Sequence, residues 1–366
     1  MPGLIPLNEP ASGSGKEPRA RVASAAASYS QSAAVSCLRD QPQQPPSQIG
    51  NLNYRRVLQR PESNLTHVFA GRAISVFLLA AVSLSAAPAV DIATVAPDLT
   101  VPKMEKSSPA PGKRVRQTHP DYADTQVHHA LYLPANWKPG GNYPILVEFA
   151  GNGPYSNQFG DISTGKVEGS KLGYGISGGK GFIWVCMPYL NNAGDANVTR
   201  WWGDPPTYNP TATLDYCKKT VPWICRQYGG DPKKVILAGF SRGAIACNYL
   251  GLHDDEIAKL WRAFIPYSHY DGAKIHWPYK GDDRASATER LKRLKGRPQF
   301  ICHEGSRPMN SENLQQAKGF IESTGIQGDF TYLPTGFRNH NDAWTLRPSP
   351  ARKALRHWLD RVLKEE

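Results

Sequence analysis

The sequence predicts an α/β fold with a mostly parallel central sheet and helices on both faces. Three observations point there. Short apolar runs recur along the second two thirds of the chain. Stretches with helical spacing separate them. Glycine and proline punctuate the ends of both. The run at 126–133 reads as a strand stopped by Pro134, and 143–149 as a second, ending at Gly151 and Gly153. A third covers 181–187. Residues 211–228 put Leu214, Cys217, Val221 and Ile224 on one helical stripe and stop at Gly229 and Gly230. Further strands follow at 234–239, 263–267, 298–302 and 330–333, with helical stretches at 286–294, 312–323 and 351–363. Side chains of such a sheet are buried on both faces, and ligands collect at the carboxyl ends of the strands.

The first third of the chain is different. All nine Trp of the 366 residues lie at or after Trp137. Residues 1–70 are rich in Ala, Ser, Pro and Gln, too poor in apolar surface to offset the entropy of ordering, and read as a disordered or mis-called extension. An apolar run, 73–84, follows Arg72 and precedes Ala87-Pro88-Ala89. Basic flank, short apolar stretch and small-residue exit make 71–89 a signal-like segment, short and serine-diluted for a membrane span. Its position suggests a true start near 68–72. The expected location is secreted or periplasmic, with no stable membrane insertion once the signal is cleaved. Residues 90–118, with four prolines, read as a linker, and 119–366 as the folded α/β domain.

The formal charge is +12, but no dense basic run accompanies it: residues 1–118 carry 13 Lys/Arg against 7 Asp/Glu, and the rest 30 against 24 over twice the length. Nucleic acid is therefore not the expected partner. Six cysteines in this length make no disulfide scaffold, their spacing matches no zinc pattern, and buried free thiols are expected; no metal or cofactor is implied. Composition leaves the oligomeric state open.

The strand ending at Ala238 runs into Gly239-Phe240-Ser241-Arg242-Gly243, then a helix beginning around Ala244. This is G-x-S-x-G between strand and helix. The turn is so tight that side chains two positions either side of the serine would clash, and it presents Ser241 at a helix N-terminus, where developing negative charge is favoured. With Tyr228-Gly229-Gly230-Asp231-Pro232 before the elbow, and Leu131-Tyr132-Leu133-Pro134 and the 143–147 run upstream, the chain resembles the α/β-hydrolase family. Within it, the chain looks like secreted esterases of the polyhydroxybutyrate depolymerase and feruloyl esterase group. The resemblance covers about 126–364.

A serine hydroxyl needs a base. The resemblance implies a histidine after the last strand, and His340 occupies that slot; His357 lies inside the final helix, and His128, His129, His253 and His303 lack the placement. The acid departs from the family pattern, because Ser306 and Arg307 stand where an Asp is usual. Glu304 is the nearest carboxylate and Asp271 the alternative, with Asp342 and Glu312 behind them. Oxyanion donors are expected from the backbone of Arg242, the residue after the nucleophile, and of Gly151 and Asn152 in the loop after the 143–149 strand. The long 189–210 loop carries Trp201 and Trp202, which with Tyr155 and Tyr270 are candidates for a substrate wall; Tyr267, His269 and Trp277 are further candidates. The expected function is hydrolysis of carboxylic esters, acetyl or feruloyl esters of polysaccharides among them, through an acyl-enzyme. A serine peptidase of the same fold and a non-catalytic carbohydrate-binding relative are the alternatives.

Overall fold

Nine strands build the central sheet of the computed structural model, which describes residues 89–305 and 313–365. The extension at 1–70 and the signal-like segment at 71–89 lie outside the described residues, apart from Ala89, as do Ser306, Arg307 and Glu312. The strands are β1 (Met104–Glu105), β2 (Arg114–Gln117), β3 (His129–Tyr132), β4 (Tyr143–Phe149) and β5 (Ile183–Met187). They continue with β6 (Gly230–Phe240), β7 (Ala263–Tyr267), β8 (Gly296–His303) and β9 (Gly328–Pro334). Their spatial order is β1-β2-β3-β5-β4-β6-β7-β8-β9. Only β3 runs against its neighbours; every other pairing is parallel.

The apolar runs are continuous because both faces of the sheet are covered. Ile145, Val147, Val235 and Leu237 join one core, with Leu214, Val221 and Ile224 from helix α2 (Thr211–Tyr228). Their neighbours Leu146, Ile236, Ala238 and Phe240 join the other, with Leu355, Trp358 and Leu359 from α7 (Pro350–Val362). Successive residues point to opposite faces. The predicted α2 has the observed bounds. The short helix between β4 and β5, Leu172–Ser177, is hidden in the sequence by Gly173 and Gly175. A Cβ on Gly173 would sit 2.3 Å from the Trp184 ring, and one on Gly175 2.1 Å from Thr345 Oγ1, so close packing requires both glycines.

The linker reading of 90–118 needs correction. This segment supplies β1 and β2 and is stitched to the C-terminal half. Asp98 receives both terminal nitrogens of Arg352 at 2.5 Å. Ile92 is buried, and its N–H donates to Asn339 Oδ1 at 2.6 Å. Val90 bonds to Gly336 and Arg338. The segment therefore clamps the loop that carries His340. Five cysteines, Cys186, Cys217, Cys225, Cys247 and Cys302, are buried free thiols. Among the described residues, no helix is long and apolar enough to cross a membrane, and no group of three His, Cys, Asp or Glu suits a metal ion.

Candidate active site

Strand β6 ends at Phe240, and helix α3 (Arg242–Tyr249) begins two residues later. Ser241 between them has φ 56° and ψ −117°, a conformation that L-residues avoid unless the surroundings impose it. The two glycines explain how the turn closes. A Cβ on Gly239 would fall 1.9 Å from the Gly243 carbonyl oxygen, and one on Gly243 would fall 1.9 Å from that of Phe149. Ser241 N–H is fixed to the Tyr267 carbonyl at 2.9 Å. Its side chain opens into a cavity of about 400 Å³ lined also by Asn152, Tyr155, Arg200, Trp201, His269 and His340.

His340 lies on the loop after β9. Its N–H donates to Asp161 Oδ1 at 2.6 Å, and its carbonyl accepts from Ile162 N at 3.1 Å. The ring packs 4.6 Å from that of Phe240, centroid to centroid, one residue before the serine. Its Nδ1 is 2.5 Å from Glu304 Oε1, at the end of β8. A third group closes this contact. Ser268, the first residue after β7, donates its hydroxyl to Glu304 Oε1 at 2.7 Å, and its Oγ is 2.6 Å from His340 Nδ1. A carboxylate only accepts, so ionised Glu304 puts the ring proton on Nδ1 and leaves Nε2 as the basic nitrogen. Ser268 has φ 87°, a second non-glycine residue held in a disfavoured conformation beside the first. Sequence reasoning missed it. Its only signal is its place at a strand end, in a loop valued for its Asp.

Asp271, the alternative acid, does not reach the imidazole. Arg290 of helix α5 (Arg284–Lys292) donates to both its oxygens, at 2.7 and 3.0 Å, and the pair is buried. Asp342 receives the Lys171 N–H and ammonium instead. Two wall candidates also need correction. Trp202 is fully buried, stacked on Tyr249 with ring centroids 4.5 Å apart. Tyr270 is fully buried and donates its hydroxyl to Gln299 Oε1 at 2.9 Å. Trp201 and Tyr155 do line the cavity, and His269 joins them. Tyr267 is buried against Phe240, and Trp277 backs Trp201 at 5.4 Å.

The loop after β4 approaches the elbow closely. A Cβ on Gly151 would meet Ser163 Oγ at 2.7 Å and the Phe240 ring at 3.1 Å. The buried Arg242 guanidinium ties this loop down, donating to the carbonyls of Gly151 at 2.9 Å and Trp201 at 2.7 Å and lying 3.6 Å over the Tyr189 ring. Burial pulls its pKa down to about 10, which leaves it charged near neutrality. Asn152 Oδ1 accepts the Trp201 N–H at 2.9 Å. The backbone N–H groups of Gly151, Asn152 and Arg242 make no hydrogen bond to other described residues. Such donors beside a nucleophile suit an oxyanion.

A nine-stranded, mostly parallel sheet with one antiparallel strand and a serine elbow after an inner strand is the α/β-hydrolase architecture. No protein-family model matches the chain, and no curated relative matches it in sequence. Among solved structures it is similar to a thermostable esterase at 16% identity, covering 68% of this chain and 62% of that one, with a TM-score of 0.43. It is also similar to Thermogutta terrifontis esterase 2, at 15% identity over 70% of this chain and 94% of that one, TM-score 0.47. A third likeness is to Porphyromonas gingivalis dipeptidyl peptidase 4, at 13% identity over 69% and 36%, TM-score 0.46. The chain thus spans less than two thirds of the first of these and about a third of the peptidase.

Proposed function

We propose that this protein is a serine hydrolase that cleaves carboxylic esters, with Ser241 as nucleophile, His340 as general base and Glu304 as the acid that orients it. The observation that carries this reading is the fastened imidazole: Nδ1 lies 2.5 Å from Glu304 Oε1, while the ring forms part of the cavity that Ser241 opens into. Ser241 Oγ attacks the ester carbonyl as its proton passes to His340 Nε2. The tetrahedral oxyanion is received by N–H groups of Arg242 and of the Gly151–Asn152 loop. The alcohol leaves with the proton from Nε2, and water, activated by the same nitrogen, releases the acid. Glu304 stabilises the imidazolium without taking its proton. Ser268 is a positioning residue that holds the carboxylate and ring in register.

The aromatic wall of Trp201 and Tyr155 supports an acyl or leaving group with a flat face, a sugar ring among them. The signal-like segment at 71–89 supports action outside the cytoplasm, on polysaccharide-linked esters. Turnover of p-nitrophenyl acetate tests the reading. Wild-type protein is expected to turn the ester over, and Ser241→Ala to lose activity by at least ~10³-fold. Equal rates for the two proteins would remove Ser241 from the chemistry.

A further inference from the structure

A second cavity of about 480 Å³ adjoins the one that Ser241 opens into. The partition is one layer of backbone. Ala150 faces the second cavity and Asn152 the first; Gly165 and Lys166 face the second and Ser163 the first; Val198 and Thr199 face the second and Arg200 and Trp201 the first. Gly153 N–H donates to the Thr199 carbonyl at 3.0 Å across it. At Gly165, φ +73°, a Cβ would stand 2.4 Å from that same carbonyl oxygen. There is no room for a side chain at Gly153 or Gly165, where these segments cross, and the two spaces are neighbours.

Their charges are one-sided. The second cavity is lined by Arg116, Lys166, His128 and Glu168, and Arg200 is the one Lys, Arg, Asp or Glu lining the first. Its single carboxylate is engaged: Glu168 accepts from His128 Nε2 at 2.8 Å. Asn197 is occupied too, donating to the His128 carbonyl at 2.8 Å. The side chains of Arg116, Lys166 and Arg200 make no hydrogen bond or ion pair among the described residues. Glu168 also feels the field of Lys166, so among the described residues Arg116 and Lys166 stand against one carboxylate already bonded to His128, and Arg200 adds a third cation in the adjoining space that opens on Ser241. Met187, Pro188 and Val198 give the second cavity an apolar side as well.

We infer that the second cavity is a subsite for the anionic part of an ester substrate, a carboxylated or sulfated sugar chain, with Arg116 and Lys166 as its anion contacts and Arg200 receiving the charge nearest the scissile bond. This rests on the hydrolase reading and narrows its substrate class to esters of acidic polymers. Carboxylate and sulfate offer the same planar or tetrahedral oxygens to a guanidinium, which holds them bidentately.

Binding is measured apart from turnover, with the full chain carrying Ser241→Ala, by affinity electrophoresis in gels containing polygalacturonate, dextran sulfate or neutral dextran. Retardation is expected with at least one polyanion and not with neutral dextran; which polyanion retards more distinguishes carboxylate from sulfate. Arg116→Gln/Lys166→Gln is expected to weaken binding about fivefold, with a steep loss on added salt. Lys353→Gln/Lys364→Gln, which removes the same charge from exposed positions on and just after α7, is expected to leave it in place. Equal weakening by both double variants, no retardation at all, or weakening by Arg200→Gln alone would overturn the subsite. A kinetic arm compares wild-type KM on acetylated homogalacturonan and acetylated xylan, with p-nitrophenyl acetate alongside. Preference for the acidic polymer supports the inference. Equal KM values with intact p-nitrophenyl acetate turnover overturn it while leaving the hydrolase reading standing. Absent turnover on every ester defeats the hydrolase reading itself.

Discussion

Glu304 and Asp271 lie at the carboxyl ends of neighbouring strands, β8 and β7, and both are buried. Glu304 meets an imidazole and a hydroxyl. Asp271 meets a guanidinium on both oxygens, and Arg290 is further held by the Gly281 carbonyl. A guanidinium keeps its protons at every accessible pH, so Asp271 is locked into a static ion pair. An imidazole exchanges its proton near neutrality, so Glu304 faces a group that changes charge during a reaction. Glu304 directly follows β8 and Asp271 lies four residues past β7; the partner's chemistry separates the structural carboxylate from the one proposed to act in catalysis.

The sharpest way to break this comparison is to neutralise each carboxylate's system in turn. Glu304→Gln keeps the shape but removes the charge that fixes the ring tautomer, and turnover of p-nitrophenyl acetate is expected to fall about 10⁴-fold with the circular dichroism spectrum unchanged. Arg290→Ala strands the Asp271 carboxylate without its cation. It is expected to cost about 3–5 kcal/mol in urea unfolding while kcat of the folded protein stays put. A large kcat loss there would mean that the two carboxylates are not functionally separate.

Glu148, on β4, sharpens the contrast as a third case. It is fully buried and accepts from neutral donors, the Gly173 N–H and the Trp184 indole, both at 2.8 Å. Burial is the largest cause of a pKa raised from 4.5 to about 7. Between those values the unfolded chain has released a proton that the folded one keeps. Stability therefore falls as pH rises from 4.5 to about 7 and levels off above. The fall is on the order of 3 kcal/mol. Glu148→Gln is expected to flatten it, as read from urea midpoints at several pH values. The smallest effect belongs to Ser268→Ala, which removes one hydrogen bond to Glu304: kcat is expected to drop about tenfold with KM unchanged. A rise in KM at constant kcat would instead mean that Ser268 acts on substrate binding.

Legibility follows the same physics. The elbow was readable because Gly239, Ser241 and Gly243 lie within five residues, and their clashes are local. The placement of His340 in the same cavity as Ser241 was readable from its slot after the last strand. Glu304 could be ranked but not assigned, since a choice between two strand ends depends on which way each side chain faces. Ser268 was not readable: its partners are 36 and 72 residues away, joined only when β7, β8 and the loop after β9 align. Trp201 and Trp202 looked equivalent in sequence. Both are buried in one core cluster, and only Trp201, at φ 50°, also borders the cavity that Ser241 opens into. Residues 90–118 read as a linker because prolines interrupt every pattern. Their pairing is with distant segments, Val90 with the His340 loop and Asp98 with α7.

The central claim is that Ser241 is a nucleophile made reactive by His340. It is tested most directly by intact and peptide mass spectrometry after exposure to diisopropyl fluorophosphate. One phosphoryl adduct per chain is expected, on the peptide containing Ser241, absent in Ser241→Ala and formed far more slowly in His340→Ala. An unmodified wild-type chain, or an adduct that forms equally fast without the imidazole, would contradict it.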